Sequence, residues 1–358
     1  MRRFSILVIL LLLLQGCGSV PMIWGADALP SILLETPAFT STAAQTATAT
    51  VTATVPFTPT ITFTPTFTAT PTEIISPTPE PPSAGIKRVI VVTYDGLRPD
   101  AIAAAPMKNL MTLMETSAYS LTARTINYAV TLPAHASLFS GMCQSKHGVD
   151  WDVTTYYRGY SKGVDVFDLA HAAGLKTVML VNKEKLRQLA EPETTDVFQI
   201  VYGVESTIMK AAIDQIPSGF DLMFVHFGSP DIRGHKYGWM SDSQFKALRN
   251  GDAALGQLLA ALDENGIRDS TLLIVTSDHG GHDRTHVGSV IEDLLIPWVA
   301  SGPGIQPGQI TAQVSIMDSA PTIAYALELP LQPEWDGFPV YEAFGLPQPN
   351  VHGDNICK

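Results

Sequence analysis

Five short stretches of this 358-residue chain carry side chains that ligate metals or attack electrophiles. Ser277-Asp278-His279-Gly280-Gly281 sets a carboxylate and an imidazole side by side before two glycines. At a strand end such a pair can reach out together, and the glycines let the chain turn close to an ion. Asp231-Ile232-Arg233-Gly234-His235 spaces an Asp and a His so that a helix start would bring them to one side. Asp95 follows Thr93-Tyr94 and precedes Gly96. Thr131, in Val130-Thr131-Leu132-Pro133-Ala134-His135, fits a helix N-cap with Pro133 in the first turn. Backbone N–H groups and the helix dipole favour an anion there. Finally, His279, His282 and His286 crowd one loop, and either of the last two could complete a metal site. Singly, each stretch has a plainer explanation as a turn, a cap or a solvated loop.

The elements that must position these residues follow from the apolar pattern. Lys87 to Tyr94 is a largely β-branched run, as in a buried parallel strand, and it stops at Asp95-Gly96. Further strands are predicted at Lys176–Val181, Asp221–Phe227, Thr271–Thr276 and Ile296–Ala300. Helices are predicted at Pro99–Glu115, Pro133–Ser140, Val166–Ala173, Val204–Ile213, Ser243–Glu264 and Asp318–Leu327. Alternating strands and helices imply an α/β domain with a mostly parallel central sheet. Asp95, Asp231 and Asp278 then fall at or just past the C-terminal ends of strands, the edge where open α/β sheets bind ligands. Three carboxylates on one edge repel one another unless cations neutralise them.

The rest of the chain bounds the setting. Residues 1–16 read as a signal peptide, with two arginines, a short apolar run and a small residue before the cut. Leu14-Gln15-Gly16-Cys17 resembles a bacterial lipobox, although Gln15 is not the favoured small residue. Acylation of Cys17 would anchor the protein to a membrane; the alternative is a secreted form. Both routes lead outside the cytoplasm. Residues 17–84 form the lipoprotein N-terminus and a Thr/Pro-rich spacer with repeated Phe-Thr-Pro-Thr phrases, too poor in periodicity to build a core. Residues 85–358 are long enough for one sizeable domain. The net charge of −12 argues against electrostatic binding of a nucleic-acid duplex. Cys143 and Cys357 could pair, but two cysteines do not amount to a disulfide framework.

Taken in order, the phrases Tyr94-Asp95-Gly96, Thr131-Leu132-Pro133-Ala134-His135, His147-Gly148-Val149, Pro230-Asp231 with Gly234-His235-Lys236-Tyr237-Gly238, and Ser277-Asp278-His279-Gly280 resemble the alkaline phosphatase superfamily. The likeness is greatest to its type I phosphodiesterase/nucleotide pyrophosphatase branch. Gly302-Pro303-Gly304 and Ala320-Pro321-Thr322-Ile323 extend it over essentially the whole folded part. The resemblance implies an alkaline-phosphatase-like sheet with helices on both faces, and two divalent metal ions, commonly zinc. One ion would be held by Asp95, Thr131, Asp278 and His279. The other would be held by Asp231, His235 and a third histidine: His286, ahead of the family Gly-Pro pair, with His282 as runner-up. His135 and His147 match positions that are not ligands. Thr131 would attack a small phosphoester substrate and pass through a phospho-threonine, since a cation at its Oγ stabilises the alkoxide.

Two positions depart from the family. Diesterases often carry an Asn that donates to a phosphate oxygen where this chain has Asp152. An ionised Asp152 would repel that oxygen, so it must be turned away or protonated, or another donor must serve, or activity falls. Nucleotide pyrophosphatases place a base-stacking Tyr where this chain has His226, so nucleotide selectivity does not carry over. Asp152 and His226 are therefore the candidate substrate-binding positions. A sulfatase would need Cys or Ser at Thr131, and a phosphoglycerate mutase a Ser. Phosphomonoesterase, phosphonate hydrolase and a tethered, non-catalytic phospho-ligand-binding protein remain as rivals. The oligomeric state is not legible.

Overall fold

The computed structural model describes residues 85–288, 290–353 and 357. The leader, Cys17 and the Thr/Pro-rich spacer lie outside the described residues. Eight strands form one sheet: β1 (Arg88–Tyr94), β2 (Ala118–Arg124), β3 (Thr177–Val181), β4 (Val197–Ile200), β5 (Leu222–Phe227), β6 (Thr271–Thr276), β7 (Leu295–Ser301) and β8 (Gly308–Gln309). Their order across the sheet is β4-β3-β5-β1-β6-β7-β2-β8. Only β7 runs against the others.

β1 is central because it is apolar on both faces. Val89 and Val91 point into one core with Leu132, Phe139, Phe167 and Ile323. Ile90, Val92 and Tyr94 point into the other with Leu110, Ile208, Leu255 and Leu258. Helices thus cover both faces, which is why the parallel strands read as continuous β-branched runs. Register fixes the site. Thr93 pairs with His226 of β5 and with Thr276 of β6. The three central strands therefore end together, and the residues that follow them emerge side by side.

Some expectations shift. The stretch Pro99–Glu115 is two helices, Pro99–Ala104 and Lys108–Met114, broken around Pro106, whose ring removes an N–H. β2, β4 and β8 were not predicted: Ala-Tyr-Ser-Leu-Thr-Ala-Arg is poor in β-branched residues, and the other two are short and lie towards the edges. Cys143 and Cys357 are joined by a disulfide that ties positions 214 apart in sequence. No helix among the described residues is long and apolar enough to cross a membrane.

Candidate active site

Thr131 opens the Thr131–Ser140 helix. The expected N-cap role falls instead to Val130, which is extended, offers no side-chain cap and leaves its carbonyl to Ala134 N–H. The capping comes from elsewhere: the Leu132 N–H donates to Asp152 Oδ1 at 2.9 Å. Thr131 is 1% exposed. Asp231 and His235 lie one turn apart in the Ser229–Tyr237 helix, which starts just after β5 with Pro230 in its first turn.

Glycines let these segments close up. A Cβ on Gly96, Gly234 or Gly281 would meet the Trp239 indole at 3.2, 2.8 or 2.1 Å. One buried tryptophan thus packs against the β1 loop, the Asp231 helix and the β6 loop, and its Nε1–H donates to the Gly96 carbonyl. Gly96 also sits at φ +75°, a backbone that favours glycine.

The three carboxylates meet in this closed space. Asp95 and Asp278 are fully buried and Asp231 nearly so. Asp278 Oδ1 accepts from the N–H groups of Gly96 and His279. Asp278 Oδ2, Asp95 Oδ1, Asp231 Oδ1 and His279 Nε2 are buried without a hydrogen-bond partner. His279 Nε2 stands 3.5 Å from Asp95 Oδ1 and 3.4 Å from Asp278 Oδ2. His235 Nε2 and His286 Nε2 stand 3.3 and 3.7 Å from Asp231 Oδ1.

Each of these three histidines has its Nδ1 on a backbone carbonyl: His235 on Arg284, His279 on Gly280, His286 on Ala129. A carbonyl only accepts, so Nδ1 carries a proton, and in the neutral ring the bare Nε2 lone pair turns into the site. At His235 the neighbouring Asp231 carboxylate raises the pKa, which favours the protonated ring until a cation takes that carboxylate. Burial also lowers the pKa of His279, and takes His286 down to about 4, which keeps both rings neutral. The ligand atoms of Asp231, His235 and His286 lie within 4.8 Å of one another, as do those of Asp95, Asp231 and His279. Unpartnered oxygens and imidazole lone pairs converging in a buried space are what a divalent cation requires. The residues present fit metal binding, with Asp231 common to both groups and Asp278 at the edge of the second.

The other singled-out residues take different places. His282 turns to Asp293 at 2.7 Å, away from the centre. His135 is held between the Thr131 carbonyl and Thr93 Oγ1, and His147 between Ser137 Oγ and the Val149 N–H, so neither has a free nitrogen. His226 is fully buried and meets Asp95 Oδ2 at 2.9 Å and Asn182 Oδ1 at 3.0 Å. It holds Asp95 from behind and offers no face to a substrate. Asp152 is turned onto the Thr131 helix, with Oδ2 on Lys185 Nζ at 2.7 Å.

Lys183, not singled out from sequence, stands at the middle. Its Nζ is 2.6 Å from Asp95 Oδ2, 2.6 Å from Asp231 Oδ2 and 3.3 Å from Thr131 Oγ1. Burial works against the ionised forms. Lys183 and His226 outweigh it at Asp95 and hold that carboxyl well below the usual range, while burial and the Asp95 charge push the Asp278 carboxyl well up. The signal was available: Lys183 lies just past β3, at the same sheet edge as the acids.

A mostly parallel sheet with this site on its C-terminal edge defines an alkaline-phosphatase-like protein. The profile of the type I phosphodiesterase/nucleotide pyrophosphatase family matches residues 89–299, and the chain belongs to that family. Mouse ectonucleotide pyrophosphatase/phosphodiesterase family member 7 is 25% identical over 240 residues, covering 58% of this chain and 52% of the mouse protein. The chain thus spans about half the length of that relative. Among solved structures, an inactive variant of murine ectonucleotide pyrophosphatase/phosphodiesterase 5 in complex with AMP is similar at TM-score 0.60 and 14% identity, covering 69% of this chain and 96% of that one. The phosphonate monoester hydrolase of Silicibacter pomeroyi is similar at TM-score 0.58 and 12% identity, covering 74% and 78%. Those two likenesses concern the fold.

Proposed function

We propose that the protein is an extracytoplasmic phosphoester hydrolase, a phosphodiesterase of the nucleotide pyrophosphatase type, with Thr131 as nucleophile. The observation that carries this reading is the convergence of four unpartnered buried atoms, on Asp95, Asp231, Asp278 and His279, beside a buried threonine at a helix start. Asp95, Asp278, His279 and Thr131 would hold one divalent cation, and Asp231, His235 and His286 a second, both zinc. When bound, these ions neutralise the carboxylates, favour the Thr131 alkoxide and draw charge from the phosphoryl group.

Thr131 Oγ forms a bond to phosphorus as the bond from phosphorus to the leaving oxygen breaks. The threonine proton goes to solvent, and the leaving oxygen takes one from solvent. Water then adds to the phospho-threonine phosphorus, the P–Oγ bond breaks, and the hydroxyl returns. The helix start contributes the positive end of its dipole to the phosphoryl oxygens, the Leu132 N–H being held by Asp152 Oδ1 and Pro133 having none.

The Cys143–Cys357 disulfide suits an oxidising compartment. It also leaves Cys17, of three cysteines, free for acylation. We therefore place the domain outside the cytoplasm, on a Thr/Pro-rich spacer from a lipid anchor. A tethered, non-catalytic role is disfavoured by the complete set of ligand side chains.

The test is nitrophenol release from bis(p-nitrophenyl) phosphate and from the monoester, using the full chain with its metal content measured. Thr131→Ala should lose turnover while keeping its metal, which the remaining six side chains hold. Full activity in that variant removes the nucleophile. Turnover of the monoester alone makes the protein a phosphomonoesterase on the same site, and no turnover of either favours the binding role.

A further inference from the structure

The metal reading accounts for Oδ1 of Asp95 and of Asp231, which have no partner. It leaves Oδ2 of the same two residues, and Lys183 takes both. The ammonium and the cations are therefore served by different oxygens of shared carboxylates, and one does not displace the other. An ammonium has three N–H donors. Here one goes to Asp231 Oδ2 and one to Thr131 Oγ1, while Nζ also forms an ion pair with Asp95 Oδ2 at 2.6 Å. The side chain is only 13% exposed.

Asp152 cannot act as the donor that an Asn there would provide, because both its oxygens are occupied. Oδ1 accepts from the Leu132 N–H and Oδ2 from Lys185. Together they hold the first turn of the helix that presents Thr131, which leaves the site short of one donor to a phosphoryl oxygen.

Resting on the reading of the site as a phosphoester hydrolase, we propose that Lys183 is a further catalytic residue. It holds Thr131 Oγ in line for attack and donates to a non-bridging oxygen of the transferring phosphoryl group, while Asp152 and Lys185 act as positioning residues behind it. As Thr131 forms its bond to phosphorus, the N–H that faced the hydroxyl turns to the adjacent equatorial oxygen. The ammonium keeps all its protons throughout. It also adds positive charge to a site that a neutral amide would leave less positive.

Lys183→Met, with Lys183→Gln as a second variant should Met disturb folding, tests this in the full metal-loaded chain. Metal content should match the parent protein. Binding of inorganic phosphate, measured by calorimetry, should weaken about 10-fold, the equivalent of one lost charge-assisted contact. kcat should fall ~10²–10³-fold, as for loss of one preorganised donor to the transition state, with a smaller change in KM. Lys183→Arg should recover part of the phosphate affinity. Unchanged phosphate affinity and kcat in both neutral variants overturn the proposal, and so does a parallel loss of metal, which makes Lys183 part of the metal scaffold. These outcomes are separable from failure of the underlying reading. If the parent protein turns over nothing, or Thr131→Ala stays active, the hydrolase assignment falls; if Thr131→Ala is dead and Lys183→Met is not, only Lys183 is wrongly placed.

Discussion

Two buried acid clusters in this molecule have opposite characters. Around Asp318 every need is met: Oδ1 accepts from His352 Nε2 at 2.6 Å and from the Phe338 N–H, and Oδ2 from the Ser315 N–H. Asp252 is similar, receiving the N–H groups of Asn109 and Leu110. Around Asp95, Asp231 and Asp278, one oxygen of each acid has no partner, and His279 Nε2 lies among them, 3.4 Å from Asp278 Oδ2 and grouped with the ligand atoms of Asp95 and Asp231. A buried carboxylate that is fully hydrogen-bonded ties chain segments together and needs nothing more. One left short, beside others left short, costs stability that only a ligand restores. Isolation alone is not the signal, since Asp293 Oδ2 also lacks a partner but belongs to neither group of converging ligand atoms, and its Oδ1 pairs with His282. Convergence is the signal.

Truncating one acid from each cluster should separate them most strongly. Asp278→Ala is expected to lower kcat/KM at least ~10³-fold, because it removes a share of the several kcal/mol that metal sites supply to the transition state. In the metal-free protein the cost should be small, because the N–H groups of Gly96 and His279 that it orphans are offset by removal of an unpartnered buried oxygen beside the Asp95 charge. Asp318→Ala should do the reverse, costing about 1–3 kcal/mol in urea unfolding through its orphaned donors, with turnover per folded molecule unchanged. If Asp318→Ala abolishes turnover in a stable protein, the comparison fails.

Much of this contrast was legible in the sequence, and its limits have physical causes. Asp95 and Asp278 could be placed because a β-branched run ending in Asp-Gly or Ser-Asp-His-Gly marks a strand end, and the structure puts both there. Asp231 and His235 were legible through helical spacing. Lys183 was missed because a lysine after a strand has no motif of its own; it becomes informative only when β3 is known to lie beside β5, two places from β1. The placement of His226 against Asp95 was not legible for a related reason. Its strand was predictable, but its register and which face of β5 looks into the site depend on the partners of β1. The satisfied state of Asp318 was invisible, since it depends on His352 reaching back over many residues.

Histidines sort as the acids do, and pH reads the difference. His147 accepts from the Val149 N–H at Nδ1 and meets Ser137 Oγ through Nε2, and burial takes its pKa down to about 4. The unfolded chain, with an ordinary value near 6.5, takes up the proton first as pH falls. Stability from this group is therefore complete above about pH 6.5 and is lost progressively down to pH 4, by at most about 3 kcal/mol. His147→Gln should flatten that part of the stability–pH curve in the metal-free protein. A curve of the same slope in the variant places the acid sensitivity elsewhere.

The smallest expected effect lies at Asp152, where the two kinds of region meet. Asp152 stands beside the nucleophile, yet its oxygens are spent on a helix N–H and a lysine, as in the satisfied clusters. Asp152→Asn keeps an oxygen for the Leu132 N–H and gives up only a partly exposed ion pair, worth roughly 0.2–1 kcal/mol. It should therefore change kcat by no more than about two- to five-fold, the kinetic equivalent of that energy. The substitution also installs the amide that family diesterases often carry. If it raised diester turnover tenfold or more, the amide would have to be reaching the substrate. Asp152 would then belong to the reacting face of the site, and Lys183 would no longer be needed to supply the missing donor.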